Sequence, residues 1–417
     1  MKSRGTRIAR VILLTGLSCG FWILACAGES EPPDEAAHEE PVGDEAIGRV
    51  AAAADGFGFA LLGELWRRDP GVNTFISPTS ISIALSMTVN GASGATRDAM
   101  MQTLGVAEIA VGDLNRGNNA LLGGLGSPRD GVELTTANSL WARKGNPFRD
   151  DFVAVNERFY GARLMELDFD DPAAPDAINR WVAEATRDKI DGIIDRIDPM
   201  VVLYLINAIY FKGTWSDEFD PKATADRPFT LTDGSTVSCP MMVQTGRFHY
   251  YEDAALQAIE LPYGDGGTSM YVFLPSGERD LNQLVGNLSS DEWNRLMSGF
   301  ERKRGTIQLP KFTIEYEKSL KGVLSALGMA VAFEGGADFR AMSPERLYIG
   351  DVRHKTYVDV NEEGTEAAAV TAVTMLRASM PEPPEFKMVV DRPFLFAIRD
   401  NETGSVLFLG AIVDPTA

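Results

Sequence analysis

The sequence predicts an α+β fold with sizeable sheets, and three observations carry that expectation. Helical spacing fills the first third of the chain, while β-branched and aromatic runs bounded by turn residues dominate the rest. No regular βαβ alternation and no internal repeat links the two textures, which argues against a doubly wound sheet. At 417 residues, 45% of them hydrophobic, the chain can build one large domain or two average ones.

Taken in order, Lys2, Arg4, Arg7 and Arg10 precede an apolar run from Val11 to Ala25, the pattern of an export leader over residues 1–25. The run ends in Ile23-Leu24-Ala25-Cys26, which resembles a bacterial lipobox and would make Cys26 a lipidated first residue of the mature chain. Ordinary cleavage nearby and lipidation at Cys19 are the alternatives. Residues 26–46 read as an acidic tether: from Ala27 to Ile47 there are eight acidic side chains, no Lys or Arg, and three prolines. The expected location is therefore outside the cytoplasm, as a cell-envelope lipoprotein held to a membrane by its lipid or as an extracellular protein.

The folded domain is expected over 47–417, with helical spacing starting near Glu45. Ser77 is a natural N-cap and Pro78 suits the first helical position. "SGATRDAMMQTLG" repeats that logic, with Gly105 closing the helix. "VVLYLINAIYFKGTW", "MYVFLP", "TIQLPKFTIEY" and "FLFAIRD" joined by "NETG" to "SVLFLGAIV" read as strands, the last pair as a hairpin. Between them "PDAINRWVAEATRDKI" and "EKSLKGVLSALGM" keep helical spacing.

A net charge of -20 argues against nucleic acid as a partner, because phosphate binding needs clustered Lys and Arg. Cys239 is the only cysteine beyond Cys26, so the mature body has no internal disulfide to form. No zinc, P-loop or dinucleotide motif is present, and no metal or cofactor is expected. The three histidines are His38, His249 and His354, and the single G-x-S-x-G lies inside the leader at Gly16–Gly20. An enzyme is therefore not expected.

The stretch "NEEGTEAAAVTAVTMLRASMPEPPE", Asn361 to Glu385, is almost uncharged from Thr365 to Leu376 yet runs into prolines. Together with "NAIYFKGTW", "MMVQTGRFHYYED", "DRPFLFAIRD" and "FLGAIVDP", in that family's order and spacing, it resembles the serpin family over nearly all of the chain after the tether. The resemblance implies one domain of about nine helices and three β-sheets, acting as a monomer, with an exposed reactive loop at about 362–386. It implies that a serine protease attacks the loop as a substrate. The cut loop then inserts into the large sheet and carries the covalently bound protease with it. The second functional class is a non-inhibitory serpin serving as a binding or chaperone module.

Carried over residue by residue, the hinge is Glu362, Glu363, Gly364, Thr365, Glu366, Ala367, Ala368 and Ala369. Counting from Gly364 gives Ala378–Ser379 as the reactive bond, suited to elastase-like or subtilisin-like enzymes. Arg377, suited to a trypsin-like enzyme, is the alternative. Ser77, Ser80, Asn207 and His354 match the family's shutter beneath the parting strands, and Trp215, Lys311 and Glu362 match the breach where the loop begins to insert. The residues themselves fit this demand. In a strand Thr365, Ala367, Ala369, Thr371, Val373 and Met375 would face inward with no charge among them, while Glu366, Ala368, Val370, Ala372 and Thr374 would face a side expected to stay wet.

Overall fold

The computed structural model describes residues 43–127, 129–276, 280–365 and 383–417. Cys26, the tether up to Val42, and the stretch from Glu366 to Glu382 with Ala367, Ala368, Ala369, Arg377, Ala378 and Ser379 lie outside the described residues.

Nine α-helices are found among the described residues: α1 (Asp44–Arg68), α2 (Pro78–Val89), α3 (Gly94–Thr103), α4 (Val111–Leu125), α5 (Asp150–Tyr160), α6 (Ala174–Ala185), α7 (Leu281–Gly286), α8 (Ser290–Met297) and α9 (Lys321–Leu324). Asp44 to Ala46, expected in the tether, already belong to α1. α2 forms where the sequence places it: the Ser77 hydroxyl accepts from the Ser80 N–H, and Pro78 occupies the first turn. Every residue of α2 is buried, as expected of a helix without a polar face.

The strands form two hydrogen-bonded sheets. The larger runs β1 (Thr74–Ile76), β15 (Val406–Ile412), β14 (Phe394–Asp400), β8 (Thr268–Pro275), β7 (Leu256–Tyr263), β6 (Thr236–Glu252), β9 (Glu301–Pro310), β13 (Phe386–Val389), with β5 (Ala225–Thr230) also paired to β6. The smaller runs β10 (Phe312–Ser319), β11 (Asp351–Val360), β12 (Gly364–Thr365), β4 (Leu203–Thr214), β2 (Val132–Arg143), β3 (Arg163–Leu167). Of the three sheets expected, two are continuous because the 17-residue β6 runs through both.

Some elements differ from the sequence reading. "TIQLPKFTIEY" is two strands in different sheets, split at Lys311. The helix expected through Ile190 stops at Ala185, since Arg187 and Asp188 adopt positive φ. The run after Lys318 continues β10 to Ser319, and past α9 it tightens into irregular turns around Gly328, whose φ is 118°.

The smaller sheet is covered on both faces. Its inner face packs on α2 and the main core, with Leu140, Leu203 and Leu205 buried there. Its outer face carries Ala137, Trp141, Tyr204, Ile206 and Ala208, covered by Ile178 and Val182 of α6 and by Ile190, Ile193 and Ile194.

Candidate functional site

β4 and β11 run parallel, side by side, from the pair Tyr204–Asp351 to the pair Tyr210–Tyr357. Beyond that pair they part. The turn Asn361–Gly364 and the short β12 fill the gap: Thr365 faces Val360 on one side and Gly213 on the other, and Gly364 faces Thr214. The sheet thus has a seam that is zipped at one end and wedged open at the other.

The wedge fits tightly. Gly364 has a φ of 149°, and a Cβ there would sit 2.0 Å from the Gly213 carbonyl oxygen, so only glycine permits the approach. Thr365 is fully buried, its hydroxyl 2.8 Å from that of Tyr263. Trp215 stacks on Tyr263 with ring centroids 4.4 Å apart, and its indole N–H donates to the Asn361 carbonyl at 2.9 Å. The backbone N–H groups of Trp215 and Phe219 donate to the carbonyls of Glu363 and Glu362, each at 2.9 Å.

Glu362 is the charged part of the wedge. Its Oε2 lies 2.7 Å from Lys311 Nζ, and its Oε1 accepts from the Thr224 hydroxyl at 2.8 Å. Burial works to raise its pKa, but Lys311 and Thr224 together outweigh burial and hold the carboxyl below its usual range. Lys311 is well placed for this because it is the single residue between β9 and β10.

Midway along the zipped part, Asn207 and His354 are register partners across the seam. His354 Nε2 lies 3.2 Å from the Ser77 N–H at the start of α2. A backbone N–H can only donate, so Nε2 is the acceptor and the ring proton sits on Nδ1, donated to Asn207 Oδ1 at 2.6 Å. The Asn207 amide donates onward to Ser80 Oγ and to Asn138 Oδ1, both at 2.6 Å. Ser77 Oγ donates to the Leu407 carbonyl at 2.6 Å, joining the network to the larger sheet. Ser77, Ser80, Asn207 and His354 are essentially without solvent contact, and burial pushes His354 down to about 3.

The structure therefore gathers the sequence-derived residues into two groups, Ser77, Ser80, Asn207 and His354 at the seam and Trp215, Lys311, Glu362 and Gly364 at the wedge. It adds Asn138, Gly213, Thr224 and Tyr263, which sequence reasoning missed. Asn138 becomes visible only through the β2–β4 register that sets it opposite Asn207. His249 stands apart on β6, paired with Glu260.

The burial of His354 and the pairing of Lys311 each have a measurable consequence. The unfolded chain takes up a proton at His354 near pH 6.5, the folded chain only near 3. Its stabilising contribution is whole above pH 6.5 and is lost as pH falls towards 3, by about 3 kcal/mol at pH 4. Asp55, pushed up to about 7 by burial, acts with the opposite sign in the same window. The difference between wild type and His354→Gln in denaturant unfolding should isolate the histidine: the variant is less stable at pH 7 and loses less on acidification. Equal slopes would exclude His354. Lys311→Ala, in turn, leaves Glu362 unpaired. With Lys311 a third exposed, the ground-state loss should be only about 1 kcal/mol, yet the freed wedge should speed self-association on warming, seen on native gels.

Comparison with known proteins agrees with this architecture. The family model described as Serpin (serine protease inhibitor) matches residues 52–415. An uncharacterised serpin-like protein of Thermococcus kodakarensis is 38% identical over 88% of this chain and 86% of its own length. Bovine leukocyte elastase inhibitor is 36% identical over 88% of this chain and 100% of its own. Human thyroxine-binding globulin, solved as a thyroxine complex, superposes with a TM-score of 0.82 at 28% identity, covering 89% of this chain and all of that one. With the seam, the wedge and matches of this extent in agreement, the chain belongs to the serpin family.

Proposed function

We propose that this serpin is a suicide-substrate inhibitor of serine proteases, exported and either lipid-anchored through Cys26 or released. The observation that carries the reading is the wedge: Gly364 and Thr365 already occupy the place of a strand, antiparallel to β4 and β11 at once. Continued residue by residue from Gly364–Thr214, that register would bring Thr371 opposite Asn207 and Ala378 level with Met200. Thr371, on the inward set with Thr365, would then enter between Asn207 and His354.

The same register refines the expectation for the outward set. Val370 and Ala372 would meet Ala208 and Ile206, which are buried under α6 and the segment that comes after it, so that part of the outer face is dry rather than wet. Small uncharged residues suit both faces there. Glu366 is the one charge of the outward set, and the registers would place it near the wedge between Lys212 and Asp359.

The chemistry runs through the protease's own serine. Its hydroxyl attacks the Ala378 carbonyl, the Ala378–Ser379 amide breaks, the Ser379 amine leaves with a proton, and an ester joins the protease to Ala378. Insertion of the thirteen or so residues between Thr365 and that ester would translate it by roughly 40–45 Å at about 3.3 Å per residue. The enzyme is dragged against the far end of the sheet before water can complete deacylation. The bovine relative's name identifies an elastase inhibitor, and Ala378 suits that class of primary pocket. A second reading, a non-inhibitory carrier, has thyroxine-binding globulin as its structural parallel.

Incubation with pancreatic elastase, subtilisin and trypsin should give an SDS-stable adduct with one of them, release a peptide beginning at Ser379, and leave a cleaved form that melts well above the intact one. A peptide beginning at Ala378 would move the bond to Arg377. Cleavage of the loop by these enzymes without any adduct, or without thermal gain, would overturn inhibition in favour of the carrier. Thr371→Arg should be cut as an ordinary substrate, its adduct yield reduced about tenfold or more by the cost of burying an unpaired guanidinium.

A further inference from the structure

We infer that Arg353 is the clasp of a strap laid across the seam, and that its release limits how readily the sheet opens. The consequence for protease trapping rests on the inhibitory reading above; the consequence for the intact sheet does not. Between α6 and β4 the chain from Ile190 to Met200 crosses the outer face of the smaller sheet. On the β4 side it is held by apolar burial, with Ile190, Ile193 and Ile194 packed on Ala137, Tyr204, Ile206 and Ala208. Polar ties reinforce that side. The Asp198 N–H donates to the Tyr204 hydroxyl at 3.2 Å, and Arg143 of β2 donates to the carbonyls of Val201 and Pro199 at 3.1 and 2.7 Å. Asn179 of α6 clamps the middle through the N–H groups of Ile193 and Ile194 and the Ile194 carbonyl.

The hold on β11 is of another kind. Arg353 donates through Nε and Nη2 to one acceptor, the Ile193 carbonyl, at 3.3 Å each. Glu317 of β10 pairs with the same guanidinium, and Asp351 lies 3.8 Å from it, so the carboxylates aim the donors at the strap. Tyr357 adds only partly buried packing. Beside the clasp an open cleft of about 610 Å³ is lined by strap residues Ile194 to Pro199 and by Tyr204, Asp351 and Arg353. Among the described residues the polar ties on this side are the Arg353 contact and, at the strap's far end, the Tyr348 hydroxyl, which donates to the Met200 carbonyl at 3.3 Å, so along the seam itself the holding falls to Arg353.

Neighbouring strands lie about 4.8 Å apart, so placing one more between β4 and β11 doubles their separation. Two 3.3 Å hydrogen bonds do not survive a displacement of that size. The strap, loaded on β2 and β4, moves with them, and the bond that parts is Arg353 to Ile193. Arg353 is thus a positioning residue: its partners among the described residues are Ile193, Glu317 and Asp351, and it keeps the seam shut until the loop is cut.

The test uses the full chain with Arg353→Met, which keeps an apolar stem of similar reach, and Arg353→Lys, which keeps charge but not the paired donors. Hydrogen exchange at the β4 and β11 amides from 204 to 210 and 351 to 357 should rise about fivefold in Arg353→Met, with Arg353→Lys between it and wild type. The cleaved form, in which the clasp is already broken, should keep its wild-type melting temperature. Unchanged exchange in both variants, or an equal loss of stability in intact and cleaved forms, would overturn the clasp. In the reaction with whichever protease forms an adduct, Arg353→Met should trap with fewer serpin molecules spent per enzyme. Adduct formation at the wild-type ratio, despite faster exchange, would confine the clasp to the resting sheet. Failure of wild type to form any adduct bears on the inhibitory reading alone.

Discussion

The hydrogen bond between His354 and Asn207 is the contact on which the architecture turns. It lies across the pair of strands that the proposed insertion would separate, and it is made by neutral groups with no access to water. Ser77 fixes the tautomer that makes it, and Ser77 is at once the cap of α2 and a donor to β15. A buried network of this kind is strong while complete and costly when half broken. Parting β4 from β11 therefore disturbs a helix start and both sheets together, which gives the seam a discrete closed state rather than a gradual loosening.

Under the proposed insertion, loop composition would be set by the need to satisfy both faces of that seam. Inward positions meet α2 and the core, where a charge would lack a partner. Outward positions, along the middle of the seam, meet the apolar cover supplied by α6 and the strap. Alternation, the usual signature of a strand with one wet face, would fail here, and the sequence shows instead a run of Ala, Thr and Val in both sets. Small side chains also lower the barrier to passing between strands that are already packed.

Much of the local chemistry was legible in the sequence, and the limits have physical causes. Ser77-Pro78 announced a helix start, and "NETG" between two apolar runs announced the β14–β15 hairpin, because each signal is set within a few residues. β11 was not foreseen: Asp351, Arg353, Lys355 and Asp359 break its apolar pattern, and they make sense only in place, Arg353 and Lys355 against Glu315, Glu317 and the strap, Asp351 against Ser319 and Arg353, and Asp359 against Thr313. Asn138 likewise has no local signature and joins the site through strand register. The strap itself was not foreseen: only its first residue, Ile190, was read as the end of a helix, and Ile193 and Ile194, which with it form an apolar pad, carry no local signal of that role. The wedge residues were recognisable as a set through the family resemblance, whereas the glycine pair Gly213–Gly364 is a matter of backbone approach alone.

If the loop inserts as proposed, the wedge would also explain how the intact chain rests short of its lowest energy. Extending β12 by a residue trades one ladder, β4 to β11, for two, β4 to the new strand and the new strand to β11. Once the first several pairs are exchanged, each further residue adds backbone hydrogen bonds and buries more surface, so the completed insertion lies downhill. The opening steps do not share that gain: they break the ladder, the His354–Asn207 contact and the Arg353 clasp while the loop is still tied at both ends, at β12 and at β13. On the same reading, an uncut loop joined to β13 at Phe386 would lack the reach to complete the exchange. On the proposed reading, cutting it would remove the tether while leaving the contacts of the described strands in place, and a proteolytic event would thereby become a rearrangement of the core.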